Sequence, residues 1–310
     1  MVDIAKPLPM GTVIQTAPPK GVAQSVESVL HSDLPGVNVL LMGPAGTGKT
    51  YACGTLADIN PDLEVFYFGL EPGLESLLGY WTDRGLEVPP NVHWHVLKGP
   101  KASFQDMLDN ATKINTLSLS ALASLQDPKR ASHNTYLLLL SQLSNFQDQR
   151  TGENFGMVDS WGTNRVLIMD GMSGLNRAAM SLVVGGKPVI SQGDWGIAQG
   201  MIENVLNKLT KDCACHFVLI SHVERETDAV LGGIKIMLST LGKKLAPKLP
   251  SMFSDVVMAV REGTKYTWDT ASPLADVKTR NLATAANLPP SFQPILDKWK
   301  SRGGKFTPMV

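Results

Sequence analysis

The sequence predicts an α/β fold in which a mainly parallel central sheet is covered by helices on both faces, and three observations predict it. Short apolar runs alternate with stretches whose apolar residues recur at helical spacing through the first two-thirds of the chain. A glycine-rich octapeptide stands between the first such run and the first helical stretch. The 310 residues are 43% hydrophobic and 18% charged, a composition that builds a buried core and excludes disorder for most of the chain.

Residues 1–36, rich in Pro, Gly and small polar side chains, read as an arm or leader with one short helix near Gln24 to His31. Val37 to Met42 is the first strand, followed by the glycine-rich turn and helix-compatible sequence from Lys49 to Ile59. Strands follow at Leu63 to Leu70, ended by Glu71-Pro72-Gly73, and at Val92 to Leu97, ended by Lys98-Gly99-Pro100. Phe104, Met107, Leu108, Ala111 and Ile114 recur at spacings of three and four, as do Tyr136, Leu137, Leu140 and Leu143 after the break at Pro128. Two helices are therefore expected between Phe104 and Arg150.

Arg165 to Asp170 reads as a buried strand, Gly196 to Leu209 as a helix and His216 to Ser221 as a further strand. Leu231 to Pro250 reads as a loop, punctuated by Gly232, Gly233, Gly242, Pro247 and Pro250. Asp255 to Arg261, Lys265 to Thr270 and Ala275 to Thr279 are expected to close the sheet as strands.

Charge and composition exclude several classes of function. Lys+Arg and Asp+Glu are 28 each, so no general field draws the protein to nucleic acid or anionic lipid, and a polyanion partner needs a local patch. Apolar runs such as Tyr136 to Leu140 and Val256 to Val260 fall far short of the ~20 residues that span a bilayer, so no membrane segment is expected. The amino terminus, with Asp3 and early prolines, does not read as a secretory signal, so the protein is expected to stay in the compartment where it is made. Three cysteines, with Cys213 and Cys215 only two apart, suit reduced packing residues better than a disulfide framework or a metal site.

Gly43-Pro44-Ala45-Gly46-Thr47-Gly48-Lys49-Thr50 fits G-x-x-x-x-G-K-[ST] in the strand–loop–helix context that this phosphate-binding loop requires. Its glycines allow successive N–H groups to turn onto phosphates, and the following helix adds its positive end. Lys49 is expected to reach the β and γ phosphates of ATP, and Thr50 to ligate Mg2+. A second metal ligand is expected at a neighbouring strand end, where Asp170 closes an apolar run. Gly171 follows it, so the adjacent acid of many AAA+ ATPases is missing and a base must come from elsewhere. Glu71, closing the strand before it, would lie at the same carboxyl edge as the phosphate loop and could orient and deprotonate the attacking water. A solvated Glu before a Pro-Gly turn is the plainer reading of the same position. Asp58, Asp62 and Glu64 precede that strand and belong to the wrong edge.

This order of features is similar to the layout of RecA-like ATPases. It has a phosphate loop, a Glu after the next strand, a Walker-B Asp without a neighbouring acid, and a polar residue ending the following strand. The closest resemblance is to phage-encoded RecA-like P-loop ATPases associated with single-strand annealing and recombination. It is carried by Ser191-Gln192-Gly193-Asp194-Trp195-Gly196, Ser221-His222-Val223, and Gly242 to Pro250 before Phe253-Ser254-Asp255-Val256-Val257. It covers about residues 37–293.

The resemblance implies a RecA-like P-loop NTPase core over 37–290. Two features depart from it: the 104–150 helices are longer than a compact core requires and read as an insertion, and 291–310, with Lys298, Lys300, Arg302 and Lys305 against Asp297, reads as a basic tail, a flexible extension or disordered terminus. It implies Glu71 as the base and His222 as the sensor of the γ-phosphate. Lys278 and Arg280 would be cations inserted into a neighbouring subunit's ATP site, which makes hydrolysis conditional on a homo-oligomeric ring or filament. Single-stranded DNA is the implied partner, held by loops over Ser173 to Gln192, with Arg177 and Lys187, and over Val223 to Pro250, with Lys235, Lys243, Lys244 and Lys248. Trp195 is the one strong candidate for base stacking, although a packing role suits it better. A phage single-strand-binding protein is a further implied partner, and host cytoplasm the implied location. Two rival readings stay open: a P-loop kinase or monomeric nucleotide switch, and an ATP-binding mediator or loader that engages a helicase or single-strand-binding protein through the 104–150 helices.

Overall fold

Apolar strands dictate the core of the architecture, because a strand buried on both faces must find partners on either side and cover above and below. A computed structural model describes residues 34–99, 103–124, 133–185, 187, 189–227 and 232–308. The first five strands are β1 (Asn38–Met42), β2 (Glu64–Gly69), β3 (Val92–Val96), β4 (Arg165–Asp170) and β5 (His216–Ser221). A separate antiparallel hairpin follows, β6 (Val223–Thr227) with β7 (Ile234–Leu238), and then β8 (Asp255–Glu262) and β9 (Lys265–Asp269). The main sheet has the order β3-β2-β4-β5-β1-β8-β9. All pairings in it are parallel except β8 with β9.

Alternate residues of each strand feed two cores. Leu40, Phe66, Leu167, Phe217 and Val256 face one, with α5 (Thr135–Ser144), α6 (Met172–Val184) and α7 (Gln192–Asn207), in a helix series that starts from α1 (Lys49–Ala52), α2 (Leu74–Thr82), α3 (Phe104–Thr116) and α4 (Leu119–Ser124). Leu41, Val65, Ile168, Val218 and Val257 face the other, with α1, α2 and the carboxy-terminal α9 (Gln293–Ser301), which follows the short α8 (Leu249–Met252).

The strand expectations match to within about two residues at their ends, apart from Ala275 to Thr279, which makes only the isolated bridges Ile236–Ala275 and Val256–Lys278. Other differences have physical causes. Ser173 to Gln192, expected as a loop, is largely helix α6, whose Leu175, Ala178 and Ala179 are buried and which ends at Gly185 with φ 60°. Helix α7 starts at Gln192, four residues earlier than expected, because Ser191 and Asp194 form a reciprocal capping box. Leu231 to Pro250 is not all loop, since β7 pairs with β6 from Ile234 to Leu238. The 104–150 stretch holds three helices, of which α5 buries Tyr136 and Leu139, while α3 buries no residue and leaves Phe104 89% exposed.

The tail expected over 291–310 is docked. Helix α9 buries Ile295, Leu296 and Trp299; the Trp299 indole donates to Pro35 O at 2.9 Å, and its ring packs against His216 and Phe306. Thr307 N donates to Thr163 Oγ1 at 3.0 Å. The leader over 1–36 lies almost wholly outside the described residues. The three cysteines are free and buried. Among the described residues no helix is long and apolar enough to cross a membrane. Trp299→Ala should lower the stability to urea unfolding by about 3–5 kcal/mol, the cost of emptying a buried tryptophan site, if α9 is an integral part of the second core.

Candidate active site

Parallel register brings four strand ends to one level. Met42 pairs with Ser221, Gly69 with Asp170 and Asp170 with Ile220. The chain leaves β1 into the phosphate loop, β2 towards Glu71, β4 at Asp170 and β5 towards His222, all at the carboxyl edge of the sheet.

In the loop, Gly46 and Gly48 both have φ 74°, a left-handed conformation that disfavours any side chain. At Gly43 a Cβ would lie 2.6 Å from Ala259 O on β8, so close strand packing also demands glycine there. Lys49 Nζ donates to Gly43 O at 2.8 Å and Pro44 O at 2.7 Å, and Thr47 Oγ1 donates to Pro44 O at 2.9 Å. Ala45 lines the cavity beside them. Burial lowers the Lys49 pKa to about 8, partly opposed by the negative charges of Asp170 and Glu71.

Thr50 Oγ1 donates to Asp170 Oδ2 at 2.7 Å, which joins the two expected metal ligands directly. The phenol of Tyr67 donates to the same oxygen at 3.0 Å. Burial raises the Asp170 pKa, and the two hydrogen bonds oppose that shift. Burial, with the Asp170 charge, pushes the Tyr67 phenol far above its usual value and keeps it a donor. A Cβ on Gly73 would fall 2.7 Å from the Tyr67 oxygen and 2.9 Å from Asp170 Oδ2, so the turn after β2 closes over this cluster only with glycine.

Glu71 lies in the cavity wall, its amide donating to Asp170 O at 3.2 Å. Its Oε2 stands 2.7 Å from where a Cβ on Gly171 would sit. The Glu71 carboxylate thus lies beside Gly171, the residue after Asp170. His222 Nε2 is 4.0 Å from Glu71 Oε2, and Arg177 Nη2 donates to Glu71 Oε1 at 2.8 Å. Glu64, by contrast, pairs with Arg165 at the opposite edge.

Lys49, Thr50, Glu71, Asp170 and His222 line a cavity of about 1010 Å³, large enough for a nucleotide. Its wall also holds Arg261 and Tyr266, which the sequence reading did not include. The β8–β9 hairpin folds Tyr266 over the loop, its ring 3.1 Å from the Cβ position of Gly48, and the Arg261 guanidinium lies 5.3 Å from the ring centre. Tyr67 was missed as well; its signal was a phenol inside an otherwise apolar strand, where a buried hydroxyl needs a partner.

The residues fit a metal-bound nucleotide. Positive-φ glycines and a buried ammonium form a cradle for phosphates, and an alcohol and a carboxylate, both hard oxygen donors, meet at 2.7 Å where Mg2+ would need them.

Lys278 and Arg280 do not reach this cavity in their own chain. Lys278 pairs with Val256 at the amino end of β8, the opposite edge of the sheet. Partial burial and the neighbouring Arg280 charge lower the Lys278 pKa. The turn that carries them is fixed by fully buried Asp255, which accepts from Thr279 Oγ1, Arg280 N, Asn281 N and Asn281 Nδ2. Arg302 of the docked tail donates to Arg280 O at 2.8 Å.

The lysines expected to form a basic loop are mostly compensated. Lys187 pairs with Asp194, Lys235 with Asp276, Lys243 with Glu226 and Lys248 with Glu203. Lys244 has no carboxylate partner among the described residues. The locally positive surface read from the segment composition is therefore smaller than expected, because acids from other elements meet it. Trp195 is 37% exposed and packs against Gly242.

The AAA domain family matches residues 36–285. No curated protein matches the chain. Among solved structures the chain is similar to the RadB recombinase, at 13% identity and a TM-score of 0.36, with 84% of this chain and 90% of that one covered. It is also similar to a prototypical ATPase from the type III secretion system of pathogenic bacteria, at 11% identity and a TM-score of 0.40. That match covers 86% of this chain and 62% of the ATPase's length.

The Lys49 pKa sets a pH dependence. Below about pH 8 the ammonium is present and attracts phosphate; above it, binding must take up a proton. Affinity for a nucleotide, read by fluorescence titration, should therefore fall as pH rises beyond about 8, by up to about tenfold per unit, and Lys49→Ala should remove that slope.

Proposed function

The chain belongs to the AAA domain family and is a P-loop ATPase, and from that premise we propose that it has a RecA-like core, hydrolyses Mg2+-ATP between subunits of a homo-oligomeric ring or filament and works on single-stranded DNA in recombination or annealing. The observation that carries this reading is the approach of His222 to Glu71 at 4.0 Å. His222 is the residue from which the β6–β7 hairpin departs, so one side chain stands between the base and the segment assigned to DNA.

The chain's own residues supply the chemistry. Loop N–H groups and Lys49 hold the phosphates. Thr50 and Asp170 hold the metal, with Tyr67 fixing the carboxylate. Mg2+ held there would supply positive charge that neutralises the charge developing on the phosphates in the transition state. Glu71 orients the attacking water and takes its proton, and His222 relays the state of the terminal phosphate to the hairpin. Lys278 and Arg280, at the far edge of the sheet, can serve an ATP site only on another copy. This supports the assembly requirement. Lys244 and the partly exposed Trp195 are the groups that suit a sugar-phosphate chain and its bases. A phage single-strand-binding protein would be an accessory partner, in the host cytoplasm.

A second reading, a mediator that loads a protein partner, has one observation in its favour. Helix α3 presents Phe104, Met107, Leu108 and Ile114 to solvent at 49–89% exposure, an apolar face without cover among the described residues. A partner helicase or single-strand-binding protein is the occupant that reading requires.

ATP turnover measured against protein concentration, with and without single-stranded DNA and alongside particle imaging, separates these readings. Turnover should rise steeply with concentration and with DNA, rings or filaments should be visible, and Lys49→Ala should abolish turnover. Turnover that ignores both variables would contradict the assembly reading. Lys278→Ala should cost on the order of 10³ in kcat, as loss of a cation supplied from another subunit does, while ATP affinity of the dilute protein stays unchanged.

A further inference from the structure

The β8–β9 hairpin runs beside the phosphate loop, and its register decides what it presents there. Gly263 and Thr264 make a two-residue turn, with Gly263 at φ 60°. Arg261 therefore stands opposite Tyr266, and Glu262 opposite Lys265. Opposed residues of an antiparallel pair share a face and successive residues alternate, so Arg261 and Tyr266 turn one way and Glu262 and Lys265 the other. The first pair faces the loop. Ala259 O stands 2.6 Å from the Cβ position of Gly43, Arg261 Nη1 3.8 Å from that of Gly46, and Tyr266 Cδ1 3.1 Å from that of Gly48. The hairpin thus meets the three loop glycines in order.

Arg261 is held there but not neutralised. Its Nε donates to Gly263 O at 2.9 Å, and its guanidinium lies 5.3 Å from the Tyr266 ring centre. Nη1 and Nη2 have no hydrogen-bond partner among the described residues, and the side chain is exposed in the cavity wall. Carboxylates meet Arg165, Arg177 and Lys187. None meets Arg261 among the described residues. Lys49, the cation inside the loop, is buried and engaged with the carbonyls of Gly43 and Pro44, and its charge is lost as pH passes about 8. A guanidinium keeps its charge throughout.

We infer that Arg261 is a second phosphate-binding cation of the nucleotide site, supplied by the same chain, whose Nη groups bind oxygens of the triphosphate while Tyr266, packed on Gly48, keeps the guanidinium beside the loop. The inference rests on the cavity being the ATP site. The chemistry of the group favours this ligand, because a planar guanidinium offers a phosphate parallel, charge-assisted hydrogen bonds that a lone ammonium does not. The anchored Nε leaves those groups free for it. No covalent step is involved. Affinity for the phosphate chain then depends on the β8–β9 hairpin as well as on the loop, and Arg261 contributes to it without a neighbouring subunit, unlike Lys278 and Arg280.

The test titrates a fluorescent ATP analogue into dilute full-length protein and displaces it with inorganic tripolyphosphate or with adenosine, in wild type, Arg261→Gln, Arg261→Lys and Lys265→Ala. Arg261→Gln should weaken the ATP analogue and tripolyphosphate by about ten- to hundredfold, the loss of a hydrogen bond to a charged group, with adenosine affinity unchanged. Arg261→Lys, which keeps the charge without the fork, should recover part of that loss. Lys265→Ala, which removes a cation from the other face of the same hairpin, should bind tripolyphosphate as wild type does. Wild-type affinity for tripolyphosphate in Arg261→Gln, a matching loss for adenosine, or the same loss in Lys265→Ala would overturn the inference. So would a loss confined to concentrations at which the protein assembles, since Arg261 would then serve a neighbour's site. Failure of wild type to bind tripolyphosphate, with Lys49→Ala no weaker than wild type for the ATP analogue, would instead remove the nucleotide reading of the cavity.

Discussion

The position of β4 between β2 and β5 is the constraint on which the rest of the structure depends. Parallel pairing sets Asp170 level with Gly69 on one side and Ile220 on the other. The residues that follow those strands, Glu71 and His222, then emerge at the same height as the phosphate loop after β1. A slip of one residue in β2 would turn Tyr67 to the opposite face and take its phenol from Asp170. The two cores make such a slip costly, since Phe66 and Phe68 fill one face while Val65 and Tyr67 fill the other. Hydrophobic packing thereby fixes the distances on which the chemistry at the edge relies.

At that edge the limiting quantity is space as much as charge. Asp170 is nearly inaccessible and tolerates burial because Thr50 and Tyr67 both donate to one of its oxygens. Gly73 is where it is because a Cβ there would strike the Tyr67–Asp170 cluster, and the Glu71 carboxylate lies against Gly171. The site draws its two acids from two neighbouring strand ends, Asp170 closing β4 and Glu71 following β2.

Much of this was legible in the sequence because it is local. The phosphate loop is an unbroken motif, and Asp170 and Glu71 each end a run of apolar residues that must be a strand. The misread parts depend on residues distant in the chain. Helix α6 was read as a loop because Gly174 and the serines around it mask the spacing of Leu175, Ala178, Ala179 and Leu182, and Gly174 is needed where a Cβ would meet Leu70 O at 2.5 Å. The basic character of 231–250 was overstated because Glu203 and Asp276, which meet Lys248 and Lys235, belong to other segments. Tyr266 and Arg261 enter the cavity only because β9 turns back across the loop, a tertiary event with no local signal. The tail was read as an extension from its lysines, while the anchoring Trp299 depends on a slot beside His216 and Gly304.

Neutral overall charge and paired lysines leave little standing attraction for a polyanion, so the proposed hold on single-stranded DNA would need many subunits acting together. Hydrolysis by the proposed route depends on one carboxylate, Glu71. Paired measurement of ATP affinity and kcat in Glu71→Gln is thus the most direct test of the account: affinity at the wild-type value with turnover reduced by about 10²–10⁴ is the result expected, and turnover retained within a few-fold of wild type would contradict it.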